Sequence, residues 1–120
     1  MKPYQDARVE GEKLAKQYAE LEQADQVDFY NGLEGYYSVL GHNKKQEAIA
    51  VLIEKNDHKI YVYQLDKGIS QDKAATISRE KGASDIDKIT FGRYQDKPIW
   101  EVKSGNQFYL VDFETGVVIR

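Results

Sequence analysis

The chain has 120 residues, of which 41% are hydrophobic and 31% charged, with a formal net charge of -3. That is enough apolar material for one domain or two very small ones, and too little net charge to hold nucleic acid or an anionic lipid surface by a general field, so no nucleic-acid partner is expected. Cysteine is absent, which excludes disulfides, thiol nucleophiles and cysteine-bound zinc or iron–sulfur clusters.

From Pro3 to Leu21, Ala7, Leu14, Ala15, Tyr18 and Leu21 recur at spacings of three, four and seven with charged residues between them. This predicts an amphipathic helix, which Gly11 weakens by about 1 kcal/mol relative to alanine. A polar break over Glu22 to Gln26 follows, and then the period changes. Segments rich in Tyr, Val and Ile predict strands over Val27–Tyr30, Gly35–Leu40, Gln46–Glu54 and Lys59–Gln64, with turns at Asn31-Gly32, Gly41 to Lys44 and Asn56-Asp57. Connections this short make neighbouring strands antiparallel.

The second half opens on Ile69-Ser70, a hydrophobic staple residue and an N-cap. A helix is predicted over Gln71–Lys81, closed by Gly82 in the left-handed conformation. Strands are predicted over Lys88–Tyr94, Pro98–Lys103, Gln107–Phe113 and Val117–Arg120. Both halves therefore have the same order of elements, with Leu14 and Tyr37 corresponding to Ile77 and Trp100 at one shared offset. The expected fold is α+β: two tandem repeats, residues 1–66 and 67–120, each one helix packed on a three- to four-stranded antiparallel sheet.

One helix covers one face of a small sheet, yet the third strand is apolar on both: Ile49, Val51 and Ile53 on one, Ala48, Ala50 and Leu52 on the other. Ile60 and Val62 likewise oppose Tyr61 and Tyr63, and Tyr109, Val111 and Phe113 oppose Phe108 and Leu110. The second face must be covered by the other repeat or used by a partner. Among the nine tyrosines, four phenylalanines and one tryptophan, Trp100 shares a face with Val102 and is expected in the core. Tyr36, Tyr61 and Tyr63 serve either packing between the repeats or a partner-binding surface, because tyrosine suits a half-wet interface.

Chemistry-bearing residues are sparse. His42 and His58, the only two histidines, are expected in polar turns beside Asn43 and Asp57, apart from the other ligands a metal would need. Asp85-Ile86-Asp87 lacks the remainder of a calcium loop, and Asp112 to Gly116 reads as a hairpin turn. The glycines are spread over hairpins and form no phosphate loop, and no serine or threonine sits in a nucleophile context. Lys44-Lys45 reads as a solvated hairpin tip, with anionic lipid or wall polymer as the weaker alternative. No catalytic residue, cofactor or metal is expected.

The longest apolar run, Ala48 to Ile53, is far short of the about 18 to 20 residues that cross a bilayer, and Met1-Lys2-Pro3 leads straight into a polar stretch without a signal-peptide pattern. The chain is expected to be soluble as it stands, with any membrane anchor of the natural protein cut away.

Phe91 to Arg120, FGRYQDKPIWEVKSGNQFYLVDFETGVVIR, resembles the PepSY pattern of a Pro-x-Trp-Glu-Val-like strand, a hairpin and an Asp-x-x-Thr-Gly turn into a last strand. Phe29-Tyr30 before Asn31-Gly32, then Tyr36-Tyr37-Ser38-Val39 and Glu47 to Ile53, is similar to the YpmB (TseB)-like cell-wall regulators of Gram-positive bacteria. The resemblance covers essentially the whole chain. It implies PepSY-like or cystatin-like repeats and a natural protein with an N-terminal transmembrane helix before residue 1, which places this chain outside the cytoplasmic membrane. It also implies regulation of cell-wall elongation by contact with a penicillin-binding protein, without chemistry of its own, and no catalytic residues to carry over. The expected mechanism is recognition by a sheet surface or a sheet edge, and the expected state is a monomer. The rival expectations are a PepSY-type protease inhibitor or propeptide-like module, a small-ligand carrier or enzyme of cystatin-like shape, and a wall-polymer binder using the aromatic faces.

Overall fold

The computed structural model describes residues 13–17, 21–32 and 35–119. The chain divides into two compact units, Met1–Leu65 and Asp66–Arg120. Within the first, residues 13–17 are helical (α1) and are followed by β1 (Leu21–Asn31), β2 (Gly35–Asn43), β3 (Ala48–Glu54) and β4 (Ile60–Gln64). A short 3-10 turn, Leu65–Lys67, closes β4. The second unit holds α2 (Gln71–Glu80), β5 (Lys88–Tyr94), β6 (Lys97–Ser104) and β7 (Gln107–Asp112). The strands form one four-stranded sheet in the order β1-β2-β3-β4 and one three-stranded sheet in the order β5-β6-β7, antiparallel throughout. The class is α+β.

In the first sheet the alternation of β3 sets the core. Val51 lies opposite Val39 on β2, with Ile49 and Ile53 on the same face. These four residues pack with Val27, Tyr37 and Leu21 against Leu14 and Ala15 of α1. Burying an aliphatic side chain of this size contributes about 1.5–3 kcal/mol, so this face supplies much of the cohesion of the unit. The other face is also withdrawn from solvent, with Ala50 and Leu52 at 0% exposure and Tyr30, Tyr36 and Ser38 buried.

Three predicted elements of the first unit are corrected. Leu21, expected as the last helical residue, opens β1, and the polar break Glu22 to Gln26 is part of the same strand. Local propensity disfavours this stretch as a strand. It is extended because it pairs with β2, and two register irregularities, at Leu21/Gln23 and Ala24/Gln26, let both Leu21 and Val27 reach the core face. β2 runs on through Gly41 and His42, residues expected in the turn, to Asn43. There the Asn43 side chain accepts hydrogen bonds from the amides of Lys45 and Glu47, both 3.0 Å long, and so ends the strand. The helix residues expected before Lys13, and Tyr18, lie outside the described residues.

In the second unit, Ser70 Oγ accepts from the Lys73 amide at 3.0 Å and caps α2. At the other end Gly82 (φ 117°) bonds back to Arg79 O and Ala83 bonds back to Ser78 O, the two bonds of a Schellman closure. α2 packs on β6 and β7 through Ala74, Ala75 and Ser78. The core is aromatic: Phe91, Trp100 and Phe113 meet edge to face, with centroids 4.9, 5.2 and 6.4 Å apart. Trp100 is 2% exposed, and its indole N–H donates to Ile69 O at 3.1 Å. Gly68 fits beside this cluster because a Cβ there would lie 2.3 Å from Phe113 O.

The expected last strand, Val117–Arg120, is corrected to a single bridge between Val118 and Val111. Val117 and Ile119 are 60% and 39% exposed, so this segment buries little of its apolar surface and is held mainly by backbone bonds to Asp112 and Leu110. Arg120 lies outside the described residues.

Candidate functional site

The three tyrosines singled out in the sequence lie on one face of the first sheet. Tyr61 and Tyr63 alternate along β4, opposite Leu52 and Ala50 of β3. Tyr36 lies on β2 opposite Glu54. The Tyr36 and Tyr61 rings meet edge to face at 6.3 Å, and Tyr30 continues the row at 6.4 Å from Tyr36. A band of rings thus crosses the face from β1 to β4. Its exposure is graded: Tyr30 and Tyr36 are 2% exposed, whereas Tyr61 and Tyr63 are half-buried. Tyr36 therefore supports the band from within, and Tyr61 and Tyr63 present its accessible end.

β4 is an edge strand, paired on one side with β3. Its central residue Val62 is 48% exposed on the face opposite the tyrosines. Sequence reasoning placed Val62 with Ile60 on a packed face and did not mark it as accessible. The usable signal was position, since the fourth strand of a meander has one partner only. The other large exposed side chains among the described residues, Phe108, Val117 and Ile119, lie on β7 and the segment after it. These also read as ordinary strand residues, because alternation gives the face of a residue and not whether that face is covered.

The remaining polar candidates resolve into structural roles. His42 sits on β2, and its Nδ1 is 2.9 Å from Asp25 Oδ2 on β1, a half-exposed pair across neighbouring strands. His58 lies in the β3–β4 turn with φ 56°, its amide bonded to Glu54 O. Asp112 is buried, and its carboxylate accepts from the amides of Glu114 and Thr115 at 2.8 and 3.2 Å, which builds the turn ending at Gly116. Asp87 accepts from the Gly105 amide at 2.8 Å, and Ser104 Oγ donates to Asp85 O at 2.7 Å. These bonds tie the segment before β5 to the β6–β7 hairpin. Among the described residues no group of three or more His, Cys, Asp or Glu is placed to hold a metal ion, and no helix is long and apolar enough to cross a membrane. Burial pushes the Glu101 carboxyl on β6 above its ordinary range, a shift that nearby Lys88 partly offsets.

The geometry defines a small α+β protein whose first unit presents half-buried tyrosines and an exposed valine on an edge strand. The profile of the cell wall elongation regulator TseB-like domain matches residues 10–54. A protein of Bacillus subtilis (strain 168) described as "Probable cell wall elongation regulator TseB" is 36% identical over 114 residues, covering 88% of this chain and 70% of that protein. The solved structure of the YpmB protein from Bacillus subtilis superposes with a TM-score of 0.79 at 31% identity, covering 100% of this chain and 96% of that one. The chain belongs to the TseB-like family.

Proposed function

We propose that this chain is a non-catalytic protein-binding module on the outer side of the cytoplasmic membrane, where it regulates cell-wall elongation by contacting a penicillin-binding protein. The observation that carries this reading is the likeness, over most of the chain, to a protein described as a cell wall elongation regulator. The half-buried Tyr61 and Tyr63 on an edge strand supply the kind of surface such a contact uses, aromatic bodies with polar tips. In the same proposal the two units are tandem PepSY-like or cystatin-like repeats, residues 1–66 and 67–120. Helical residues precede an antiparallel sheet in each unit, which supports that arrangement.

The test is a crosslinking pulldown from membranes of the source bacterium, with the membrane-anchored protein as bait and mass spectrometry as readout. Recovery of a penicillin-binding protein is expected. A bait carrying Tyr61→Ser and Tyr63→Ser is expected to lose it while keeping the circular dichroism of the wild type. Recovery of a secreted protease alone moves the weight to the inhibitor reading. Cooperative unfolding of the double variant makes the tyrosines core and removes them from the site.

A further inference from the structure

Every strand at the edge of a sheet turns alternate N–H and C=O groups outward, and native proteins guard such edges with bulges, charge, burial or a covering segment. Three of the four edges here are guarded. β1 carries two register irregularities and the carboxylates of Glu22, Asp25 and Asp28. On β5, because the Phe113 amide bonds to Pro98 O on the β7 side of β6, Ile99 and Glu101 turn towards β5 and their partners Gly92 and Thr90 bond inward. The outward residues are Ile89, Phe91 and Arg93, of which Phe91 is 0% exposed and Arg93 carries a charge. On β7 the outward groups are used by the following segment, with Asp112 N–H donating to Val117 O at 2.8 Å and Ile119 N–H donating to Leu110 O at 2.7 Å.

Among the described residues β4 has none of these devices. Its sequence, IYVYQ, contains no charge, glycine or proline, and its pairing with β3 runs without a register shift. The Glu54 amide donates to Lys59 O at 2.8 Å, so Glu54, Leu52 and Ala50 turn their backbone groups towards β4. Tyr61 and Tyr63, opposite Leu52 and Ala50, accordingly bond inward, and Ile60, Val62 and Gln64 turn theirs outward.

We propose that β4 is a docking edge for an extended segment of the partner protein, which joins the sheet as a further strand through the outward backbone groups of Ile60, Val62 and Gln64. This inference rests on the protein-binding reading above and specifies how the partner is held. The segment spans about five residues, the length of β4. It is uncharged, places an apolar side chain beside exposed Val62 and sets its alternate side chains against Tyr61 and Tyr63. Main-chain pairing with a strand that has no charged residue makes the affinity nearly independent of salt.

The test uses the full chain and a phage-displayed library of random peptides of about twelve residues, long enough to cover such an edge. Selected peptides are expected to bind in a salt-insensitive manner and to slow amide exchange at Ile60, Val62 and Gln64. They should bind about tenfold more weakly to Val62→Pro and to Gln64→Pro, because each variant removes one outward donor. Proline at an outward-facing edge position breaks no bond to β3, so circular dichroism and thermal unfolding should match the wild type. If Val62→Pro fails to fold, Gln64→Pro and the exchange pattern, which needs no substitution, decide the question. The proposal is overturned if no peptide is selected, if the selected peptides bind both proline variants as well as the wild type, or if they protect amides elsewhere. Concentration-dependent protection of β4 in the chain alone also overturns it, in favour of a second copy of the chain. Equal capture of a penicillin-binding protein by wild type and Val62→Pro in the membrane pulldown overturns the edge inference and leaves the protein-binding reading standing. Failure of the wild type to capture one removes the penicillin-binding-protein reading, and the peptide result still decides the edge.

Discussion

In the first unit the core face is a stack of branched aliphatic residues, Val27, Val39, Ile49, Val51 and Ile53, closed by Leu14 and Ala15. In the second, three aromatic rings fill the corresponding place, and one of them is also a hydrogen-bond donor that ties the strand to Ile69, ahead of α2. Irregular segments of the second unit are pinned over long sequence distances, by Ser104 to Asp85, Asp87 to Gly105, and Ile69 to Phe113. In the first unit Gln23–Asp25, Gln26–Asp28 and Asn43–Glu47 bridge residues two to four apart, and the half-exposed His42–Asp25 pair joins two strands that are already paired. The difference separates two tasks. A few specific bonds hold the small second sheet together. The first sheet buries its aliphatic residues on its central strands, and β4, the last strand of the sheet, keeps Val62 exposed.

The largest effect is expected from breaking the aromatic cluster. Trp100→Ala removes the ring that touches both Phe91 and Phe113, together with the bond to Ile69 O. It should cost about 3–5 kcal/mol in urea unfolding followed by circular dichroism. Val51→Ala, at a 0% exposed site in the middle of the aliphatic stack, should cost about 2 kcal/mol. Equal costs would show that the second unit does not depend on its aromatic anchor as argued.

A smaller effect sharpens the same contrast. Ser70→Ala removes the acceptor for the Lys73 amide and should lower stability by about 1 kcal/mol. Amide exchange should quicken first at the start of α2. An unchanged exchange pattern there would mean that the helix is held by its packing on β6 and β7 alone.

Much of this architecture was readable from residues whose effect is local. Ser70 and Gly82 bound α2 in the sequence as they do in the structure, since capping depends on neighbours within one turn. The alternation in Ala48 to Ile53 showed that both faces of β3 are buried. What escaped the reading depends on distant partners. Glu22 to Gln26 has a poor strand composition and becomes a strand by pairing with β2, while Val117–Ile119 has a good one and forms a single bridge. The candidate site was half readable. Alternation put Tyr61 and Tyr63 on one face, but their greater exposure than Tyr36, and the exposure of Val62, follow from β4 being the last strand of its sheet.

The smallest expected effect concerns Glu101, the central polar residue of β6, which lies between Thr90 and Leu110. Burial raises its pKa in the folded chain, with Lys88 opposing the shift. In the window between the ordinary carboxylate pKa and the raised value, the folded state therefore binds more protons than the unfolded state. Stability falls as pH rises through that window, and the full penalty is present above it. Glu101→Gln keeps the shape and removes the charge, so at neutral pH it should stabilise the chain slightly, by about 0.5 kcal/mol or less. The gain should disappear below the ordinary carboxylate range, where Glu101 is protonated in both states. Thermal unfolding of both proteins across that range measures this. A variant that is less stable at neutral pH would mean that the Lys88 attraction outweighs desolvation, and that this partly buried charge contributes to holding the second sheet together.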